Sequence, residues 1–481
     1  MPKETKQPER SKSSTSKKVE EEIAAALRRE VRERLGPNST FEQRRDAGLE
    51  IMQSVLWKDG DDDLKELITD VEEIEVGGKK YRRMEQSSSA TYCGRFGPHR
   101  VEEPIYREVG VRNGPTIKPI ELRVGIIEHM TPDMARVVGA LSAERSSRAL
   151  ERTLRIVGHV PPSRAFLADR TTTMGVEIAD AAADIENAAR TAEEVPAGVA
   201  SVSCGLDRMS VRMSELSEPD SAPSRARTEP YERTPPPPKE HHYRKAWVGS
   251  TSAYDAEGKE LHTWRVAAEA DADPAKLADR VAADVAWILN SHSDAPVHCI
   301  QDAAPELRAL PEALARALPA DTVPVELVDF EHLMGYLDDV VDACEPYGDP
   351  QDMKGWYRSK LLEDDGAIDR VQRSLRDKAR HLPEHNTDAR NAVAAALRYI
   401  KRRKTKMRYA SLYEANLPIG SGATESTCWQ MQQRVKLPGQ SWEPPGLRGV
   451  LAIRGLVLSE RWEMAWAPYA SKHRMEISVC H

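Results

Sequence analysis

The sequence predicts an α/β protein in which a mixed sheet follows a mainly helical region and a small β module. Three observations predict it. From 199 to 330, strand-like and helix-like segments come in the order strand, strand, strand, helix, strand, helix, strand, which reads as an antiparallel opening continued by parallel strands. Ahead of them, 19–35 places apolar residues at helical spacing among mixed charges. Between these two regions, 73–125 is made of short β-type runs punctuated by Gly77-Gly78 and Asn113-Gly114.

Taken in order, residues 1–18 are rich in Lys and Ser and are expected to form a disordered basic tail. A helical region over 19–72 leads into the β module of 73–125, whose last strand is expected in TIKPIELRV. Thr131-Pro132-Asp133 then opens a helical stretch, with Thr131 as N-cap and Pro132 at the first helical position. Within 126–198, a helix ending at Gly158, a turn at His159-Val160 and a second helix from Pro161-Pro162-Ser163 form a helix-turn-helix-like pattern. Arg164 and Arg170 fall on the second helix, where a recognition helix carries donors for base edges and phosphates; an αα-hairpin with solvated arginines has the same pattern.

The mixed sheet opens with an alternating run, 202–213, that contains Asp207. Seven prolines in 214–240 mark an exposed, partly polyproline linker. A hairpin turning at Asp255-Ala256-Glu257-Gly258, a helix over 275–289, a buried strand 297–302, a helix 305–318 and a strand 323–330 complete the sheet. Residues 331–415 are helical and charged, ending in KRRKTKMR. The turn LPIGSG precedes a helix carrying Glu425, and 416–466 closes as helix before a tail at 467–481.

Composition limits the function classes. The length of 481 residues corresponds to about three domains. With 40% hydrophobic and 30% charged residues, the chain reads as globular. Lys plus Arg at 69 against Asp plus Glu at 77 gives −8, which excludes coating of nucleic acid by bulk charge and leaves room for local basic patches. The six cysteines form no C-x-x-C pair and no disulfide framework, so a reduced compartment is expected. A polar, basic amino terminus and the lack of any long apolar run predict a cytoplasmic protein with no membrane partner.

Three acids occupy positions where chemistry is expected. Asp207 lies within the first strand of the mixed sheet, Asp302 ends a buried strand at the carboxyl edge where open sheets bind ligands, and Glu425 sits in the first turn of a helix after Gly420-Ser421-Gly422. Carboxylates drawn from distant segments into one oxygen-only site suit hard divalent cations, because like charges at close range need a cation to stay ionised together. Two such ions activate a water or a 3′-hydroxyl for in-line phosphodiester attack with no side-chain nucleophile. Taken singly, Asp207 also reads as a solvated surface group and Glu425 as a favourable helix-start charge, while Asp302 is sharper, because an acid ending a buried strand is costly unless used or paired.

The stretch LPIGSGATESTCWQMQQRVKLPGQSWEPPGLRGVLAIRGLVLSERWE resembles the carboxy-terminal signature of bacterial insertion-sequence DDE transposases of the Kra type. The matching positions are Pro418-Ile419-Gly420-Ser421-Gly422 with Glu425, then Gln433-Arg434 with Lys436, Trp442, and a helix carrying Leu451, Arg454, Leu456, Leu458, Ser459, Arg461 and Trp462. Upstream, VDFEHLMGYL supplies Asp329, Phe330, His332 and Leu337, and MRYASLYEAN leads into the Pro-Ile-Gly-Ser-Gly turn. The resemblance runs from about 200 to 466 and departs at Ala303-Ala304, where the family has Gly-Ala.

What the resemblance implies is an RNase H-like catalytic domain with 331–415 as a helical insertion ahead of the Glu-bearing helix. Asp207, Asp302 and Glu425 would be its catalytic triad and metal ligands, holding two Mg²⁺ ions with Mn²⁺ as a substitute. Asp329 and His332 would stand behind the triad. The implied partners are transposon-end and target DNA, with a homo-oligomer assembled on the DNA. Lys401, Arg402 and Arg403 in the basic run, together with Arg434 and Lys436, join Arg164 and Arg170 as candidate DNA contacts, since Lys and Arg release counterions from the phosphate backbone. Two other readings fit the same sequence: a non-catalytic DNA-binding protein derived from a transposase, and an RNase H-like nuclease without strand transfer.

Overall fold

The computed structural model describes residues 14–216, 239–302, 304–344 and 350–480. The chain is a mixed α/β protein with two five-stranded sheets. It divides into two units, one of residues 1–137, 147–167 and 470–481, the other of 138–146 and 168–469. Among the described residues no helix is long and apolar enough to cross a membrane.

The first unit opens with α1 (Ser14–Leu35) and α2 (Phe41–Glu66). Residues 14–18, expected in the disordered tail, are helical; the rest of that tail lies outside the described residues. A capping box starts α2: the Thr40 hydroxyl accepts the Gln43 N–H at 3.2 Å, and the Gln43 side-chain Oε1 accepts the Thr40 N–H at 2.8 Å. Four strands follow, β1 (Glu73–Val76), β2 (Lys79–Gly94), β3 (Gly97–Glu108) and β4 (Thr116–Ile117), each antiparallel to its neighbour. Gly77 and Gly78, both at positive φ, make the two-residue turn between β1 and β2.

Two expectations are corrected here. TIKPIELRV is strand only at Thr116–Ile117 and then becomes α3 (Pro119–Val124), closed by Gly125 at φ +76°. Pro119 cannot donate to a strand ladder, and its fixed φ suits the first turn of a helix. The expected tail at 467–481 contains a strand, Ile477–Val479, that pairs antiparallel with β1 and forms the edge of this sheet.

Glu103 is buried in this unit, 2% exposed, and accepts the Ile120 N–H at 3.0 Å. Burial pushes its carboxyl up from the ordinary 4.5 to about 7. Between those values the folded protein keeps a proton that the unfolded chain has released, so stability is fully present below pH 4.5 and declines as pH rises through 7. Urea unfolding from pH 5 to 8 should therefore show Glu103→Gln gaining on the parent as pH rises, since the amide keeps an acceptor for Ile120 without the charge. Parallel pH profiles for the two proteins would refute this.

Four helices come next: α4 (Pro132–Ser142), α5 (Ser147–Ile156), α6 (Arg164–Asp180) and α7 (Ala182–Ala192). The connection between α5 and α6 spans 157–163, longer than the three- or four-residue turn of a helix-turn-helix. The second helix starts at Arg164 rather than Pro161. Two consecutive prolines hold the chain extended, and the Ser163 hydroxyl caps α6 by accepting the Phe166 N–H at 3.3 Å.

The second sheet is built from β5 (Ser201–Leu216), β6 (Lys239–Tyr254), β7 (Glu260–Ala268), α8 (Pro274–Ser291), β8 (Val297–Gln301), α9 (Ala309–Ala317) and β9 (Val325–Val328). Its spatial order is β7-β6-β5-β8-β9; β5, β6 and β7 are antiparallel, and β8 and β9 run parallel to β5. Pairing of β5 with β6 extends from Ser201↔Tyr254 to Leu216↔Lys239. The ends of the expected Pro-rich linker, 214–216 and 239–240, are thus strand, and 217–238 lie outside the described residues. At the β6–β7 turn, Asp255 Oδ1 accepts the N–H groups of Glu257 and Lys259, and Gly258 takes φ +76°.

Alternation along β5 divides the core into two layers. Val202, Cys204 and Leu206 pack with α8 and α9, whereas Met209, Val211 and Met213 pack on the opposite face with α15 (Gly422–Val435) and α16 (Pro444–Leu458). Between β9 and α15 come α10 (Phe330–Ala343), α11 (Pro350–Glu363), α12 (Ala367–His381), α13 (Thr387–Arg403) and α14 (Ala410–Glu414), which bury a core of their own around Leu337, Tyr357, Val371 and Ile400. The last helix is α17 (Trp462–Ser471). Charges are buried as well: Asp284 on α8, 1% exposed, accepts Arg190 at 2.9 Å and Arg461 at 2.7 Å, and Arg461 also reaches Glu193 at 2.7 Å. Such groups are tolerated in an interior only when paired.

Candidate active site

Three apolar runs of the second sheet end in aspartate: Val-Ser-Cys-Gly-Leu-Asp at 202–207, Val-His-Cys-Ile-Gln-Asp at 297–302, and Val-Glu-Leu-Val-Asp at 325–329. The parallel register pairs Val202 with Val297 and Cys204 with Cys299, and His298 with Val325 through Gln301 with Val328. Continued to the carboxyl ends of β8 and β9, the edge at which an open sheet receives ligands, it sets Asp302 and Asp329 level with Asp207, which lies within β5. Opposite them stands the first turn of α15 with Glu425.

Asp207, Asp302, Asp329, His332, Ser421 and Glu425 line one small cavity of ≈ 130 Å³. Asp207 is half-buried, Glu425 is exposed, and the Asp302 side chain is 43% exposed. Gly205 makes the close approach of β5 to α15 feasible. A Cβ there would lie 2.5 Å from the Ile300 carbonyl oxygen and 2.6 Å from the Thr424 hydroxyl, which is itself held by Ser250 at 2.7 Å.

Each acid has partners that fix it. Asp207 accepts the Arg208 N–H at 2.6 Å through one oxygen and the Cys428 thiol at 3.4 Å through the other. Burial, and next the charge of Asp207, push the Cys428 thiol well up, so it remains a protonated donor. Asp302 lies 3.5 Å from His332 Nε2. Asp329 is 1% exposed: one oxygen caps α10 by accepting the His332 N–H at 2.7 Å, and the other accepts the Ser421 N–H at 2.5 Å and the Ser421 hydroxyl. Ser421 also lies 3.2 Å from Glu425 Oε1, so a buried aspartate steadies the turn that presents Glu425. The Tyr399 hydroxyl is buried with no partner among the described residues. Burial and the charge of Asp302 hold its phenol protonated.

An oxygen-only donor set of Asp207, Asp302 and Glu425 fits a hard divalent cation. Among the described residues, no group of three or more His, Cys, Asp or Glu stands gathered as a ready-made metal cage.

The basic candidates are placed unevenly. Arg164, Lys401, Arg402 and Lys436 are exposed; Arg170 is half-buried beside Asp169, at 3.6 Å, and Arg403 lies over the Tyr399 ring at 4.4 Å. Arg434 is corrected. It is 6% exposed, donates to the Ser142 carbonyl at 2.9 Å and lies over the Trp442 ring at 4.9 Å, and burial pulls its guanidinium down to about 10. It holds the interior together and has no surface to offer a phosphate.

Sequence reasoning did not single out Ser421, Cys428 or Gly205 as parts of the site. Ser421 was legible in the Gly-Ser-Gly turn before the Glu-bearing helix. Cys428 carried one signal: three residues past Glu425, it falls on a neighbouring face of the same helix. No protein-family model matches the chain, and a search of curated proteins returns no match.

Proposed function

We propose that this chain is a DNA transposase with an RNase H-like catalytic domain, cutting insertion-sequence ends and joining them to target DNA. The observation that carries the proposal is the meeting of Asp207, Asp302 and Glu425 in one cavity, from three segments far apart along the chain. The order β7-β6-β5-β8-β9, with three antiparallel strands followed by two parallel ones, supports the RNase H-like reading. So does the helical segment between β9 and α15, which stands where an insertion would.

Asp207, Asp302 and Glu425 would hold two Mg²⁺ ions, with Mn²⁺ as a substitute. Bound there, the ions supply activation of the attacking water or 3′-hydroxyl and stabilisation of the leaving oxygen. The chain's own part is placement. Cys428 fixes Asp207, His332 stands by Asp302, and the Asp329–Ser421 pair fixes the start of α15 and with it Glu425. Arg164, Arg170, Lys401, Arg402, Arg403 and Lys436 are the proposed phosphate contacts, on a chain that assembles as a homo-oligomer on paired ends.

The test is purified protein with Mg²⁺ and labelled element-end DNA, scored for cleavage and for joining. Glu425→Gln should lose both. Unchanged activity in that variant would remove Glu425 from the site. Cleavage without joining in the parent would assign the chain to nucleases, and binding without cleavage would make it a non-catalytic DNA-binding derivative.

A further inference from the structure

The helices between β9 and α15 contain a second recess, of ≈ 640 Å³, that the carboxylate site does not use. It lies where α11 meets α12. One arc of α12 is buried through Ile368, Val371 and Leu375; the other turns Arg370, Arg373, Lys378 and His381 to the recess. From Arg370 to His381 the helix rises about 16 Å, a length that several nucleotides of one strand span.

The charges of this arc are only partly spent. Arg370 pairs with Asp364 at 2.6 Å, and Asp377, the one carboxylate among the described residues of the wall, pairs with Arg380 at 3.2 Å. Among the described residues Arg373 and Lys378 have no carboxylate partner. Facing them on α11 is Trp356, 38% exposed. Its neighbour Tyr357 is fully buried, meets the indole edge-on with ring centres 5.2 Å apart, and lies 3.3 Å from the Ser374 hydroxyl of α12. A buried tyrosine thus anchors the two helices and fixes an indole on the recess wall.

An accessible aromatic ring beside unpaired cations suits a single nucleic-acid strand, whose bases offer a free π-face and whose phosphates follow at short intervals. A duplex has no such face to offer, because its bases are stacked on one another. We infer that this recess binds a single-stranded DNA segment, stacking one base on Trp356 and seating adjacent phosphates on Arg373 and Lys378. The inference goes beyond the carboxylate reading, since it needs neither a divalent cation nor cleavage.

The experiment is fluorescence anisotropy of a short labelled oligo-dT strand with the full chain in EDTA, so that failure here leaves the cleavage assay standing and the reverse. Trp356→Ala should weaken binding about tenfold, and Trp356→Phe should retain most of it. Replacing Arg373 and Lys378 together by Gln should flatten the slope of log affinity against log salt by about 1.4, two phosphates at about 0.7 each. The same strand annealed to its complement should lose the sensitivity to Trp356→Ala. Binding by Trp356→Ala equal to the parent, with circular dichroism showing it folded, overturns the inference. So does displacement of the strand by polyglutamate as effective as by unlabelled oligo-dT, which would assign the recess to acidic peptides.

Discussion

Asp207→Asn is expected to lower strand cleavage by on the order of 10³-fold with little loss of stability. The two effects separate because of how Asp207 is held. Its oxygens accept the Arg208 N–H at 2.6 Å and the Cys428 thiol at 3.4 Å. Asparagine keeps one acceptor of the same shape, so β5 and α15 stay in register with one weak thiol contact at risk. What it loses is one of the negative charges that line the cavity, and on the proposed reading that charge is needed to hold the two cations. The measurement pairs initial cleavage rates on element-end DNA with a thermal melt. A normal rate in the folded variant would remove Asp207 from the site. A collapsed melt would instead make it a structural acid.

Asp284→Ala should cost about 3–5 kcal/mol of unfolding free energy, the largest stability effect expected of one side chain here. Asp284 is 1% exposed and accepts Arg190 and Arg461, whose side chains are 8% and 3% exposed. Truncation leaves two interior guanidiniums with one acceptor fewer. Among the described residues Arg190 retains Asn187 at 3.1 Å, and Arg461 retains Glu193. Compare the pair Arg358–Glu331, at 46% and 59% exposure, which water and salt screen to about 0–1 kcal/mol. Urea titration of the two variants, Asp284→Ala and Glu331→Ala, reads the difference directly. Equal midpoints would mean that the interior network contributes nothing beyond packing.

Much of the second sheet was legible because alternation and turn chemistry agree there. The β6–β7 turn is written in Asp255 and Gly258, and the strand at 297–301 shows Val297, Cys299 and Ile300 in a short β-type run. Asp302 could be read for a physical reason, since an acid ending a buried strand is costly unless used or paired, whereas Asp329 was reached only through the resemblance and fell inside the expected strand 323–330. What failed was local pattern overruled by distant pairing. Strand 477–479 is three residues with no periodicity of its own, and only β1 makes it a strand. Arg434 looked like a phosphate ligand because a sequence shows charge and not depth; its partner, the Ser142 carbonyl, is almost three hundred positions away. The α5–α6 connection was read too short because Pro161-Pro162 suits a helix start, yet Ser163 is the residue that caps.

That three-residue strand bears on how the protein is made. β1 is translated long before its partner, so its sheet lacks that edge strand until 477–479 exist, after all of the second unit has been translated. Until then β1 carries an open edge, a template for wrong partners. Residues cut from the carboxyl end would thus be felt first in the amino-terminal half, and a fragment ending at position 137 would carry the same open flank permanently.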